Sequence, residues 1–257
     1  MYFYFKTNEK ILFSNFYQNS FDFKYNLCYN IIIEKRKVVV CMKIRKEKRN
    51  IEEILSGAKY LGSGASKEAY EKDGVVYKVP RGRYLLQEGG FGEHLPYPNT
   101  IDEVDNFLEE VNSYEPALVW PLGQFATELV IWEAIKQLEK EGLEINCFAR
   151  ILDYYLDRQG VPVIVQESTE AYWIDREDEA DLWNQMKTEL NLLRPILEER
   201  FNIILRDIRD GNCGYLNNKL KLFDFGISVT TSLDDYGSYS DCNICDDEYE
   251  DYNSYKD

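Results

Sequence analysis

The chain has 257 residues, 44% of them hydrophobic, with 20 Tyr and 13 Phe, which is enough apolar material for one two-lobed domain or two small ones. Its formal net charge is −16, and so acidic a body repels nucleic acid at long range, which excludes binding driven by a phosphate backbone. No run approaches the roughly 18 apolar residues of a membrane span, and the six Cys, with no secretory signal ahead of them, read as reduced thiols of a cytoplasmic protein.

The charge is uneven along the chain. Residues 1–50 hold 11 Lys and Arg against 4 Asp and Glu, whereas the remainder holds 19 against 42. Residues 1–41 are rich in Tyr, Phe, Asn and Lys, and Met42 then opens a basic stretch. Two readings stand for 1–41: translated upstream sequence before a true start at Met42, or a native extension. From Lys59 the pattern is strand-like, and Asp73-Gly74 is a hairpin turn between two such runs. Pro80 ends the second run, and 81–123 reads as an inserted segment that begins as a Gly- and Pro-rich loop. Thr100 and Glu103 form the pattern of a capping box before a short amphipathic helix with Ile101, Val104, Phe107, Leu108 and Val111 on one face.

Residues 124–140 read as a longer helix, 148–156 and 161–167 as two strands, and 178–200 as a second long helix in which Pro195 predicts a kink or restart. Short strands Cys213–Leu216 and Leu220–Phe223 follow a polar loop at 206–212 and are joined at Asn217-Asn218. The tail, 228–257, carries nine acidic residues against one Lys and is predicted to be disordered. Its Cys242 and Cys245 form a CxxC without a second pair or a nearby His, so a zinc site there would be incomplete. The order of elements predicts an α+β fold.

Several residues carry chemistry. Gly62-Ser63-Gly64-Ala65-Ser66 lets backbone N–H groups come close to a phosphate, although alone it reads first as a tight hairpin turn. Lys78 lies on the strand paired with that turn and can reach a phosphate held there; a strand Lys is otherwise a solvated one. Glu128 shares a helical stripe with Phe125, Trp132 and Ile135, so a buried carboxylate there needs a cation, and Lys78 is the economical partner. The competing reading is a helix-start Glu favoured by the dipole. The strongest pattern is Arg206-Asp207-Ile208-Arg209-Asp210-Gly211-Asn212 followed by Asp224-Phe225-Gly226. Asn212 and Asp224 are oxygen ligands suited to magnesium, and Asp207 can take a proton from an attacking hydroxyl. Asp-Gly-Asn alone is also ordinary turn chemistry.

In this order the motifs resemble those of the protein-kinase-like superfamily over roughly residues 55–227. The resemblance implies a bilobal fold, with an N-lobe of sheet and one main helix over 42–166 and a reduced, mainly helical C-lobe over 167–227. It implies ATP and Mg²⁺ as cofactors, held by Gly62, Ser63, Gly64, Ala65, Ser66, Lys78, Glu128 and, at the hinge after the strand Val163–Gln166, Glu167. Asp207 is then the base, Arg209 and Lys78 neutralise charge, and Asn212 and Asp224 bind the metal. The implied activity is transfer of the γ-phosphate to a hydroxyl on a protein or small molecule, with neither nucleic acid nor membrane as partner.

The chain departs from the family at three places. Lys67 stands where the third glycine of the phosphate loop is found, which predicts a stiffer loop, and Leu205 stands in place of His before Arg-Asp. After Gly226 only 31 residues follow, without an Ala-Pro-Glu element. These departures keep a non-catalytic nucleotide-binding module and a small-molecule kinase open beside a Ser/Thr-type protein kinase.

Overall fold

Asp73 and Gly74 both take left-handed backbone angles, φ 54° and 78°, which is the turn that joins two twisted antiparallel strands with two residues. Around it the computed structural model builds β3 (Lys67–Lys72) and β4 (Val75–Pro80) in continuous register, from Lys67 opposite Pro80 to Lys72 opposite Val75. The structure describes residues 44–98, 103–171 and 179–226, all in the unit that runs from Lys35 to Asp257. The segment 1–41, the tail 228–257 and its CxxC lie outside the described residues.

The fold is α+β. A mixed six-stranded sheet has the order β1-β5-β6-β4-β3-β2, where β1 is Arg45–Lys46, β2 Lys59–Ser63, β5 Ile151–Leu156 and β6 Pro162–Glu167. Among the described strands of this sheet β1, alongside β5, pairs in parallel and the others antiparallel. A smaller antiparallel sheet joins β7 (Glu170–Ala171), β8 (Cys213–Leu216) and β9 (Lys219–Leu222) in sequence order. Between β1 and β2 the short helix α1 (Ile51–Leu55) is capped by Asn50, whose side chain accepts from the Glu53 N–H.

The segment 81–123 is more helical than its sequence predicts. It contains α2 (Tyr84–Gln87), α3 (Phe91–His94) and α4 (Val104–Tyr114). Glu103 is the cap residue of α4, and the expected capping box cannot be placed because its Thr100 lies outside the described residues. Val104, Phe107, Leu108 and Val111 are buried as the stripe predicts.

The next helix, α5 (Val119–Lys140), begins five residues before the predicted start. Pro121 sits in its first turn, where a missing N–H has no intrahelical acceptor to lose. This helix is buried for most of its length, polar Gln124, Thr127 and Glu128 included. The second long helix, α6 (Glu179–Phe201), runs through Pro195 without the predicted restart, forgoing one i→i−4 bond. Its buried Met186, Leu190, Leu193 and Leu197 join α4, α5 and β9 in the main core. A second cluster, Ile51, Ile54, Val79, Tyr155, Val163 and Val165, packs α1 on the other face of the large sheet. Among the described residues no helix is long and apolar enough to cross a membrane.

Candidate functional site

Glu128 is the centre of the site. Its side chain is 0% exposed on α5, where an unpaired carboxylate would be very costly. It is paired twice: Lys78 from β4 places Nζ 2.7 Å from Oε1, and Lys67 from β3 donates to Oε2. Lys67 and Lys78 both face this side because β3 and β4 set Lys67 opposite Pro80 and Ala69 opposite Lys78, so the two lysines lie two residues apart on one face of the ladder. Lys78 also donates to the Phe223 carbonyl, and Lys67 Nζ lies 2.6 Å from Asp224 Oδ1. Two ammoniums and two carboxylates thus form one continuous chain, Lys78–Glu128–Lys67–Asp224, with no net charge.

Lys67 is the residue whose role the sequence did not reveal. Its position in the glycine turn predicted stiffening alone, whereas its side chain, 6% exposed, reaches inward and bridges the helix carboxylate to the Asp224 motif. The turn before it stays open. The Gly64 N–H donates to the Lys67 carbonyl at 2.9 Å, and a Cβ on Gly64 would meet no atom within 4 Å. Gly62, Ser63, Gly64 and Ala65 are exposed or half-exposed around it, and Ser66 is buried with its carbonyl accepting from Arg81 N–H.

The Asp224-Phe225-Gly226 segment is tied to α5 along its length. Phe225 is buried edge-on against Phe148, with ring centroids 5.1 Å apart at 81°. Thr127 donates to the Gly226 carbonyl, and a Cβ on Gly226 would lie 2.4 Å from the Gln124 carbonyl, so only glycine fits there. Thr127 and Gln124 lie one residue and about one turn from Glu128, but a helix stripe by itself does not say which neighbour it grips.

Asn212 connects this segment to the polar loop. Its backbone carbonyl accepts from the N–H groups of Phe223 and Asp224 at 2.8 and 3.4 Å. Its side-chain Nδ2 donates to both the carbonyl and Oδ2 of Asp207, each at 2.8 Å, which turns the amide oxygen away from Asp207. Asp207 takes a left-handed φ of 51°, a conformation Asp tolerates better than most residues. Arg209 places Nε 3.0 Å from Asp207 Oδ1 and is itself largely exposed.

The electrostatics separate the two aspartates. Burial alone would raise the Asp224 carboxyl, but the charges of Lys67 and Lys78 and the bond from Lys67 pull it down to about 2. Burial pushes Asp207 above the ordinary carboxylate value, and the Asn212 bond and the Arg209 charge offset only part of this. Burial works to lower Lys67, yet Asp224 and Glu128 together hold it above its ordinary value, whereas for Lys78 burial prevails over Glu128 and lowers it.

Asn212 and Asp224 suit magnesium as donors. Magnesium commonly takes one or two protein oxygens and completes its shell with phosphate and water. Among the described residues no group of three or more His, Cys, Asp or Glu is arranged to hold a metal, so an ion here would depend on oxygens from a bound phosphate.

Lys78, Glu128, Asp207, Arg209, Asn212 and Asp224 therefore come together through direct bonds or through Lys67. Glu167 does not. Its N–H donates to the Arg150 carbonyl, and its carboxylate accepts from Arg150 N–H at 2.9 Å and from Lys221 at 3.4 Å, so the side chain is committed to bracing the end of β6. Two surface cavities also lie apart from the cluster. One, of about 440 Å³, is lined by Glu52, Glu68, Arg81, Arg83, Tyr84 and Gln87; the other, of about 460 Å³, runs along α6. The Lys67 side chain lies inside the cluster, whose most exposed members are Asp224, 37% exposed, and Arg209, 63% exposed. No protein-family model matches the chain, and a search of the curated proteins returns no match.

Proposed function

We propose that the chain is an ATP- and magnesium-dependent phosphotransferase of the protein-kinase-like kind that moves the γ-phosphate to a hydroxyl. The reading rests on one observation above all: the Lys78–Glu128 pair, the Asp224 carboxylate and the Asp207–Asn212 unit, from four separate parts of the sequence, form one bonded cluster. In this reading the six-stranded sheet with α5 is the nucleotide-binding lobe, and α6 with the small sheet is the lobe that carries the catalytic loop. The open Gly62–Ser66 turn covers the phosphates with its N–H groups. Lys78, oriented by Glu128, contacts the phosphate chain. Asp207, raised by burial and steadied by Asn212, accepts the proton of the attacking hydroxyl while Arg209 offsets its charge. Asp224 and Asn212 would hold a magnesium ion, which would supply positive charge against the transferred group.

A second reading, a nucleotide-binding module without turnover, is favoured by the contact of Lys67 with the metal-binding carboxylate. Incubation with γ-labelled ATP and magnesium, alone and with protein and small hydroxyl acceptors, decides between them. Label transfer that disappears in Asp207→Ala and Asp224→Ala is the expected result. Binding of ATP with no transfer to any acceptor leaves the second reading standing.

A further inference from the structure

Lys67 poses a chemical problem for the site just described. Its ammonium lies between Glu128 and Asp224, on the carboxylate that would hold a magnesium ion, and it is shut away from water. A doubly charged cation and an ammonium on one carboxylate repel strongly at these distances. The Lys67 side chain must therefore leave Asp224 when a metal–nucleotide complex enters, and its tether sets where it goes. Its Cα is at the first residue of β3, directly after the open turn at Gly64, Ala65 and Ser66, so the long side chain is tethered beside any anion held beneath that turn.

Charge points the same way. With Lys67 the four-residue chain is neutral; without it, Lys78, Glu128 and Asp224 would present a net negative site to a polyanion, on a chain already at −16. Glu128 does not lose its counter-ion when Lys67 moves, because Lys78 remains 2.7 Å from Oε1.

We propose that Lys67 is a second phosphate ligand, held in reserve on Asp224 and Glu128 while the site is empty and transferred to the phosphate chain when magnesium takes Asp224. The inference depends on the nucleotide reading above and adds to it a residue outside the resemblance, at a position where the family has glycine.

Calorimetric titration of the full chain with Mg·ATP and with adenosine, for wild type, Lys67→Met and Lys67→Arg, tests it. Wild type should bind both. Lys67→Met should weaken Mg·ATP by about 10- to 100-fold, the range for a hydrogen bond to a charged group, and leave adenosine unchanged because adenosine carries no phosphate. Lys67→Arg should recover part of the loss. Mg·ATP binding that is unchanged or tighter in Lys67→Met overturns the proposal and makes Lys67 a plug, with the nucleotide reading intact. Equal losses for ATP and adenosine also overturn it, because Lys67 then holds the cleft together rather than the phosphates. Wild type that binds neither ligand removes the nucleotide reading itself, and this inference with it.

Discussion

Glu128 and Asp157 are both carboxylates with no exposed surface, and the fold satisfies them by opposite means. Asp157 follows β5 and accepts three backbone N–H bonds, from Ile51 at 2.9 Å and from Gln159 and Val161 at 2.8 Å each. Its partners are main chain, fixed by the turn to β6 and by the start of α1. Glu128 is satisfied by two lysine ammoniums on long side chains from adjacent strands, one of which also holds Asp224. Backbone donors make a rigid pin that can do little else. Lysine donors make a junction whose partners can be exchanged for a ligand's charges, at the cost of burying three ionised groups and part of a fourth. A buried carboxylate is thus informative about function mainly through the mobility of its donors.

The largest effect is expected at Glu128. Glu128→Gln leaves two buried ammoniums facing each other with Asp224 as their remaining carboxylate, and a loss of about 3–5 kcal/mol is expected. Lys78→Met should cost less, since Lys67 keeps Glu128 paired, while it should still weaken ATP binding. Urea unfolding of the two variants side by side checks this order; equal losses would mean that the two lysines do not share the carboxylate.

At the backbone-pinned site the expected effect is smaller. In Asp157→Asn the amide oxygen can still serve Gln159 and Val161, but an NH₂ group replaces the acceptor of Ile51 N–H. One buried donor then loses its partner, for a loss of about 1–3 kcal/mol, and nucleotide binding should not change. Weakened ATP binding in this variant would show that the pin, too, serves the site.

The smallest effect is in the dependence on pH. Asp224 titrates in the folded chain at about 2, below the roughly 4 of an unfolded aspartate. Its contribution to stability is therefore complete above about pH 4 and is lost as the pH falls towards 2. Asp157 is shifted upwards by burial, against its three backbone bonds, so its contribution grows as acid protonates it. Acid unfolding of Asp224→Asn should accordingly be flatter than wild type between about pH 4 and 2, with the two proteins converging at the acid end. A parallel offset across that window would mean that Asp224 is not held by Lys67.

Much of this was legible from local patterns. The Asp73-Gly74 turn, the α4 stripe and the Leu and Met spacing of α6 are short-range signals and appear where sequence places them. The Lys78–Glu128 contact was legible because an apolar helix stripe with one carboxylate asks for a cation. Helices as short as α2 and α3 carry no periodicity to read, and α5 begins five residues before its predicted start. Glu167 was placed at the hinge by motif order, yet its side chain answers to Arg150 and Lys221, which only the fold brings near. The same holds for Lys67: which way the first residue of β3 points depends on the bulge at Leu61, where Tyr60 and Gly62 shift register, and on the turn at 64–66. Neither of the two cavities described above is lined by a member of the cluster.

The central claim is that these residues form a site for a magnesium–nucleotide complex. Calorimetric titration of the wild-type chain with ATP, first in chelator and then with magnesium, tests it most directly. One-to-one binding that tightens with magnesium, and that loses this gain in Asp224→Asn, is the predicted result. Heats of dilution alone in both conditions would contradict it.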